Sequence, residues 1–338
     1  MAGKPPVFII GSPRSGTTFL RNVLNRHPSL AICDETRFFA DIYRRRYLFG
    51  SLENTKNRQR LLEEYLSTAR VRRFGVDTRG LREKLLCQAT SYPALFTGIL
   101  EYYAESQGKK RTGEKTPHHA FYAETLCQWY PGAAIIHMVR DPRDVVASLQ
   151  RVQWAPKSIV SNACMWLLFN RAARRLQAIP GYLLVHYEAL VTHPEQELAR
   201  ICAHIEESCD PSILLKAAPV PGPYSWPRHA AGPLTRDRLN KWREQLTASE
   251  ASLVEWITGR DMAMYGYPRC TPPVSISAII GGTADAASDS IRRQAKNLPY
   301  AWYRLTQPKK LVAQEYWKYR DAWETVFPGL PSLHKRMK

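Results

Sequence analysis

Apolar positions along the chain fall into short continuous runs, separated by segments in which they recur every three or four residues. Runs of the first kind occupy residues 7–10, 134–139 and 182–185, and a segment of the second kind follows each of them. Short apolar runs predict buried strands, and the three-to-four-residue spacing predicts helices. Strands that alternate with helices favour an α/β fold, with a parallel sheet covered by helices on both faces. Ligands of such sheets bind beyond the carboxyl ends of the strands, so we expect the chemistry just after Ile10 and Val139.

The rest of the chain divides into an insertion and a C-terminal extension. Residues from about 40 to 110 are highly charged and mostly helical in pattern, which predicts a helical insertion into the sheet domain. Residues 270–290 are rich in Pro, Gly, Ala and Ser, a composition that predicts a linker or an ordered loop. We expect one main domain over residues 1–268, and a linker with a C-terminal helical extension over residues 269–338. Basic and aromatic side chains alternate in this extension, which suits packing on the core, on a second subunit or on a membrane surface.

Net charge and cysteine content indicate which partners and which compartment are compatible with the sequence. The 338 residues carry a formal net charge of +18, which fits a nucleotide, an acidic peptide, nucleic acid or an anionic membrane equally well. The seven cysteines form no CxxC pair, so they indicate neither a zinc site nor a disulfide framework, and a reducing compartment is the simpler inference. The first strand leaves no room for a signal peptide, and no apolar stretch approaches the roughly 18 residues of a membrane span. We expect a cytoplasmic protein.

Residues 11–18 read GSPRSGTT, and they follow a predicted strand and open a predicted helix. In this context backbone N–H groups and the helix N-terminus together bind a phosphate. Gly11 and Gly16 keep the spacing of the nucleoside-triphosphatase loop GxxxxGK[ST], but Thr17 replaces the lysine that reaches the terminal phosphates, which disfavours ATP or GTP hydrolysis. Arg14 supplies positive charge, and its planar fork fits a pair of phosphate or sulfate oxygens. An ordinary βα turn with a solvated arginine is the alternative interpretation.

Further short segments follow this loop in order along the chain. They are CDETR at 33–37, EKTP at 114–117, MVRDPRDVVAS at 138–148, NRA at 170–172 and YEALVTHP at 187–194. Together with the loop they resemble the PAPS-dependent sulfotransferases, and they are most similar to the tyrosylprotein sulfotransferase branch and its bacterial relatives. The resemblance covers roughly residues 5–265. It implies the P-loop-type sulfotransferase fold, 3′-phosphoadenosine 5′-phosphosulfate (PAPS) as the co-substrate and PAP as the product.

The resemblance also implies two anion sites for this donor. The loop binds the 5′-phosphosulfate, and Arg140 with Ser148 binds the 3′-phosphate. The residues themselves agree, since Arg140 ends a predicted strand and Ser148 lies two helical turns further on. Tyr187 matches a tyrosine that lies against the nucleotide, and Ser225 or Arg228 would touch the donor when a later loop closes. The expected donor-binding residues are Arg14, Ser15, Gly16, Thr17, Thr18, Arg140, Ser148, Tyr187, Ser225 and Arg228.

Transfer of a sulfuryl group to a hydroxyl requires a base for the acceptor proton, positive charge for the departing phosphate and in-line placement of the two groups. The resemblance implies Glu35 as the general base and Lys115 as the cation that meets the departing phosphate, a role that Arg14 shares. Arg37 would orient Glu35 or the acceptor, and His118 is the alternative base. This chemistry needs no metal, and the sequence has no HExxH or carboxylate cluster at ligand spacing, so we expect metal-independent transfer.

Several of these residues also have a purely structural interpretation. Glu35 would be a surface charge at the start of a helix, and Lys115 a solvated lysine before a proline turn. His118 and its neighbour His119 would cap a helix, and Tyr187 would pack in the core.

Rival functions and the acceptor complete the sequence-based picture. A P-loop kinase of a small metabolite should carry the loop lysine, which is missing. A nucleic-acid-binding protein would explain the basic clusters, but no recognised nucleic-acid-binding motif accompanies them, so we expect no nucleic-acid partner. The expected acceptor is a tyrosine hydroxyl in an acidic peptide or another phenol, and a lipid, sugar or natural-product alcohol is equally allowed by the chemistry. Peripheral membrane contact and homo-oligomer formation stay open.

Overall fold

The computed structural model describes residues 4–68, 71, 74–208, 210 and 236–306, with the backbone alone for residues 295–306. The described residues form two compact units. The first contains those of Met1–Arg140 and Phe169–Leu239, and the second those of Asp141–Leu168 and Asn240–Lys338.

A five-stranded parallel sheet is the centre of the first unit. Its strands are β1 Val7–Gly11, β2 Leu30–Cys33, β3 Arg111–Lys115, β4 Ala134–Val139 and β5 Tyr182–His186. They lie in the order β2-β3-β1-β4-β5, and every neighbouring pair is parallel. Ile9 pairs with Lys115 and Gly11 with Met138, so the ends of β1, β3 and β4 meet at one edge of the sheet. The predicted α/β fold with a parallel sheet is confirmed.

Helices of the first unit surround this sheet. They are α1 Thr17–Leu24, α2 Phe38–Asp41, α3 Arg46–Phe49, α4 Thr55–Leu66, α5 Thr78–Gln88, α6 Tyr92–Ser106, α7 Ala123–Trp129, α10 Tyr187–Thr192 and α11 Pro194–His204. Along the chain, α8 Pro142–Gln150 and α9 Ile159–Arg174 come between α7 and α10, and α8 belongs to the second unit. The described residues between β2 and β3 are thus largely helical. Asn54, Asp77 and Ser91 cap three of these helices, because their side chains accept hydrogen bonds from first-turn N–H groups.

Successive side chains of β1 point to opposite faces of the sheet, as the strand geometry requires. Val7 and Ile9 are buried with apolar residues of α1, α10 and α11. Phe8 points the other way and stacks on Phe96 of α6, with 6.2 Å between ring centroids. Phe96 in turn stacks on Phe38 at 4.7 Å. Two apolar layers therefore enclose the sheet and hold its carboxyl edge in place.

The second unit is helical among its described residues. Its helices are α8 Pro142–Gln150, the first part of α9 Ile159–Arg174, α12 Trp242–Gln245, α13 Ala248–Met264 and α14 Ile276–Thr306. Trp242 is buried beside Val146 and Ala147 of α8. Asp144 of α8 accepts hydrogen bonds from the Asn240 and Trp242 N–H groups at 3.0 and 2.9 Å. This carboxylate therefore joins α8 to the segment that leads into α12.

The prediction of a linker or loop over residues 270–290 is wrong from Ile276 onward, where α14 begins. The Ser275 hydroxyl accepts a hydrogen bond from the Ala278 N–H and so caps the helix start. A Cβ at Gly282 would lie 2.5 Å from Leu253 of α13, so the small residue lets the helices approach closely. Packing thus offsets the low helix propensity of glycine and serine. The predicted domain boundary at residue 268 stays a prediction.

The length and apolar character of the helices indicate whether any of them could cross a membrane. Among the described residues, no helix combines the length and the apolar character that crossing a bilayer requires, including the 31-residue α14. The three interpretations of the C-terminal extension, packing on the core, on a second subunit or on a membrane surface, stay untested.

Candidate active site

Two glycines shape the loop that follows β1. Gly11 has φ 142°, and a Cβ there would lie 2.3 Å from the Met138 carbonyl oxygen of β4. Gly16 has φ 91°, and a Cβ there would lie 2.4 Å from the Tyr187 ring. Only glycine fits such approaches without strain. Gly16 is also the N-cap of α1 and has no side chain to bind the first-turn N–H groups, which suits an anion at this helix terminus.

A cluster of guanidinium groups lies beside this loop. Arg140, just after β4, lies over the Tyr187 ring, with its guanidinium carbon 4.5 Å from the ring centroid. It donates hydrogen bonds to the Arg14 and Arg238 carbonyl oxygens at 3.3 and 2.5 Å. Burial lowers the pKa of Arg14, and the positive charges of Arg140 and Arg238 lower it further. The three arginines therefore create a positive potential that favours an anion.

A second charged group joins the ends of β2 and β3. The Lys115 side chain is 2% exposed, and its Nζ lies 2.9 Å from Asp34 Oδ1 and 2.7 Å from Glu35 Oε1. Burial alone would lower the pKa of Lys115, but the two carboxylates outweigh it and the pKa is raised. Burial would raise the pKa of Asp34, but Lys115 and Arg21 of α1 hold it below its usual range. A lysine cation thus lies between two carboxylates at the carboxyl edge of the sheet.

Glu114, the residue before Lys115 in β3, supports the Lys115–Glu35 pair. It is fully buried, and its Oε1 accepts hydrogen bonds from the Thr36 N–H and Oγ1, both at 2.9 Å, and from the Thr116 Oγ1. The Arg37 N–H donates to Thr116 Oγ1 at 3.3 Å. Arg37 itself has φ 51°, in the left-handed region that non-glycine residues seldom adopt. The loop after β2 is therefore attached to the end of β3 through side chains.

The two candidate bases have different partners. Glu35 contacts Lys115, whereas His118 Nδ1 lies 3.4 Å from Arg37 Nη1. The His118 ring meets the Phe169 ring edge-on at 5.2 Å. Since a guanidinium only donates, His118 Nδ1 accepts in this contact. His118 therefore does not cap a helix through this nitrogen, and the choice between the two bases stays open.

The predicted site residues fall into identifiable places. Ser15 and Thr17 are buried in or next to the loop, and Thr18 is half-buried on α1. Ser148 is half-buried on α8 of the second unit. Ser225 and Arg228 lie outside the described residues. The loop, Arg140 and Tyr187 form one group, and Glu35, Lys115, Arg37 and His118 lie at the neighbouring strand ends.

Three charged residues of the site were not predicted as functional. Asp34 carries the same signal as Glu35, because it precedes it in the same motif. Arg21 is a charge on the otherwise buried face of α1, where its Nε donates to the Ile32 carbonyl oxygen at 3.0 Å. Arg238 had no sequence signal beyond its charge. Within the described part of the chain, no group of three or more His, Cys, Asp or Glu side chains is arranged to hold a metal ion.

Comparison with known proteins identifies the class. Residues 5–211 match the model of the sulfotransferase family. A putative protein-tyrosine sulfotransferase of Caenorhabditis briggsae is 28% identical over 203 residues, which are 58% of this chain and 63% of that protein. Protein-tyrosine sulfotransferase 1 of Danio rerio is 29% identical over 199 residues, 57% of this chain and 50% of that protein. The chain therefore spans between half and two thirds of the length of these curated relatives.

A solved structure agrees at the level of the fold. The sulfotransferase domain from the Synechococcus PCC 7002 olefin synthase superposes with a TM-score of 0.54 and 22% identity, and the match covers 79% of this chain and 96% of that one. Because the family match extends over more than half of the chain, the chain belongs to the sulfotransferase family. The resemblance stated from the sequence motifs is confirmed, including the relationship to protein-tyrosine sulfotransferases.

Proposed function

We propose that this protein transfers the sulfuryl group of PAPS to an acceptor hydroxyl. The observation that carries the proposal is the pairing of two charged groups at one edge of the sheet. The arginine cluster of Arg14, Arg140 and Arg238 lies at the ends of β1 and β4, and the Lys115–Glu35 pair lies at the ends of β3 and β2. A donor with two anionic ends and a transferable group needs such a combination of cations and a base.

The loop after β1 supplies the first donor contact. The N–H groups of Ser15 to Thr18 at the start of α1, with the Arg14 side chain, would bind the 5′-phosphosulfate. Arg140 would bind the 3′-phosphate, and the contact of Ser148 with this phosphate stays a prediction from the sequence. PAPS would supply the sulfuryl group in this arrangement and leave as PAP. Ser225 and Arg228 stay predicted contacts of the closing loop.

Glu35 and Lys115 would carry the transfer. Glu35 would take the proton of the acceptor hydroxyl as the new sulfur–oxygen bond forms and the bond to the departing phosphate breaks. Lys115 keeps its ammonium charge because its pKa is raised, and this charge would offset the one that grows on the departing oxygen. Once Glu35 is protonated, Lys115 loses one of its two anionic partners, so more of its charge acts on the departing phosphate.

The acceptor we propose is a tyrosine hydroxyl within an acidic peptide. The relatives reported above are named protein-tyrosine sulfotransferases, and the net charge of +18 favours an acidic partner. Lipid, sugar and natural-product alcohols are the alternative acceptors, and the transfer assay below includes them.

Donor binding is the first test. We expect calorimetric titration to show PAP binding at least tenfold tighter than ADP or ATP, because each lost hydrogen bond to a charged group costs roughly 1.5–3 kcal/mol. Arg140→Ala should weaken PAP binding by a similar factor and leave ADP binding nearly unchanged. Absence of PAP binding, or a preference for ATP, would overturn the proposal.

Transfer is then measured with sulfur-labelled PAPS. The acceptors are a tyrosine peptide flanked by acidic residues, the same peptide with phenylalanine in place of tyrosine, a phenol, a sugar and a lipid alcohol. Glu35→Ala and Lys115→Ala should lower turnover at least about 100-fold and preserve PAP binding. Full activity of Glu35→Ala together with inactive His118→Ala would assign the base to His118 instead.

A further inference from the structure

The proposed mechanism leaves one fully buried carboxylate, that of Glu114, without a chemical task. Its Oε1 receives three hydrogen bonds, two from Thr36 and one from Thr116. A carboxylate withdrawn from water costs several kcal/mol unless it is paired and hydrogen-bonded. The three hydrogen bonds therefore stabilise the buried carboxylate of Glu114.

His119 completes the surroundings of this carboxylate. It is fully buried, and its Nδ1 lies 2.9 Å from Glu114 Oε2. The rings of Phe39 and Phe96 meet the imidazole edge-on at 5.0 and 5.8 Å between centroids. The aromatic core thus holds His119 in place, with its Nδ1 against the second oxygen of Glu114.

The sheet register shows why such an attachment is needed. The ladder between β2 and β3 ends where Cys33 pairs with Glu114. Asp34 to Arg37 lie beyond it, so strand hydrogen bonds do not hold them. The Glu114 side chain continues the connection, since it binds both the N–H and the hydroxyl of Thr36.

We propose that Glu114 is a positioning residue that sets the distance between the proposed base and the proposed cation. Glu35 directly precedes Thr36, and Lys115 directly follows Glu114, so the hydrogen bonds between Thr36 and Glu114 fix both backbones. The 2.7 Å contact between Glu35 Oε1 and Lys115 Nζ follows from that attachment. It also holds Arg37 in its left-handed conformation, because Thr116 accepts the Arg37 N–H while donating to Glu114. This inference rests on the proposed sulfuryl transfer.

The test compares Glu114→Ala with Glu114→Gln. The alanine variant loses every contact to Thr36, so kcat should fall by about 100-fold, the effect of a roughly 1 Å misplacement in an active site. PAP affinity and KM for PAPS should change little, because the loop after β1 is untouched. The glutamine oxygen can still accept the hydrogen bonds of Thr36 and Thr116. Glu114→Gln should therefore restore kcat to within about tenfold of the unmodified protein.

A matched pair of threonine variants separates positioning from stability. Thr36→Val removes the hydroxyl that donates to Glu114. Thr97→Val removes a hydroxyl of α6 that contacts the Tyr130 hydroxyl at 2.8 Å. Both should lower the melting temperature, but only Thr36→Val should lower kcat. The two threonine variants also test the inference if Glu114→Ala does not fold. Equal kcat in both threonine variants would overturn the inference.

A crystal structure of Glu114→Gln and of Thr36→Val gives a readout independent of activity. We expect the distance from Glu35 Oε1 to Lys115 Nζ to be kept in the first and lengthened in the second. An unchanged 2.7 Å contact in Thr36→Val would contradict the positioning role even if the protein transfers sulfuryl groups. Inability of the unmodified protein to transfer sulfuryl groups would instead refute the proposed function.

Discussion

Two arginines of the candidate site adopt backbone conformations that arginine rarely takes. Arg14 has φ 71° and Arg37 has φ 51°. The left-handed region costs a residue with a Cβ roughly 1–2 kcal/mol relative to the right-handed one. Glycine would satisfy the backbone at both positions, so the arginine side chains are kept at a cost in stability. Such strain at a site indicates a function for the side chain.

Replacement of Arg14 by Gly and by Ala separates the side chain from the backbone. Both variants lose the guanidinium, so both should bind PAP at least tenfold more weakly. Arg14→Gly should be more stable than Arg14→Ala by about 0.5–1 kcal/mol, since glycine relieves the strain at φ 71° but adds freedom to the unfolded chain. Chemical denaturation measures the difference. Greater stability of the alanine variant would show that position 14 is not strained.

At the scale of elements, Asp34 connects β2, β3 and α1. The residue follows β2, contacts the lysine at the end of β3 and lies near Arg21 of α1, the helix that follows the loop after β1. The Arg21 side chain is buried, and it also lies 3.3 Å from the Tyr103 hydroxyl of α6. Asp34 therefore joins α1 to the Lys115–Glu35 pair. Its charge is one of the two that keep Lys115 protonated.

Asp34→Asn should therefore change the pH dependence of turnover. With one carboxylate removed, burial of Lys115 is less well offset, so its pKa should fall and the basic limb of the kcat profile should move to lower pH. Asp41→Asn is the control, because Asp41 pairs with Arg37, at 3.4 Å, rather than with Lys115. Its basic limb should stay in place. If the two variants had the same profile, Asp34 would not govern the protonation of Lys115.

At the scale of the whole molecule, a neutral histidine in the sheet makes stability depend on pH. His137 of β4 is fully buried, with Nδ1 2.6 Å from the Tyr182 hydroxyl and Nε2 2.9 Å from Asn170 Oδ1. Burial lowers the pKa of His137 to about 4. The unfolded chain therefore binds this proton at a higher pH than the folded protein does. Between those two pKa values the unfolded state holds more protons, so the free energy of unfolding rises with pH.

We expect this contribution to be complete above about pH 6.5 and to be lost as the pH falls towards 4, a total of roughly 3 kcal/mol. Urea unfolding at several pH values measures it. His137→Gln keeps one hydrogen-bond donor and one acceptor but does not titrate, so its free energy of unfolding should vary less with pH over this range. An identical pH slope in both proteins would assign the acid sensitivity to other groups.

The amino-acid sequence alone predicted the strands at 7–10, 134–139 and 182–185 and the phosphate loop. Their signals are local, because an apolar run, a glycine spacing and a neighbouring helix are read from adjacent residues. The sequence did not predict β3, because its residues RTGEK contain no apolar run. This segment is a central strand only because it pairs with β1 and β2. The sequence also indicated a loop where α14 forms.

Only the tertiary structure decided which charges meet. Lys115 and Glu35 are 80 positions apart, and Thr36 and Glu114 are 78 apart. No local pattern relates such residues, because their contact arises when parallel strands bring distant strand ends to one edge of the sheet. The motifs therefore determined the family and the candidate residues. The sheet order determined that Lys115 lies between Asp34 and Glu35, and that Glu114 holds the loop that carries them.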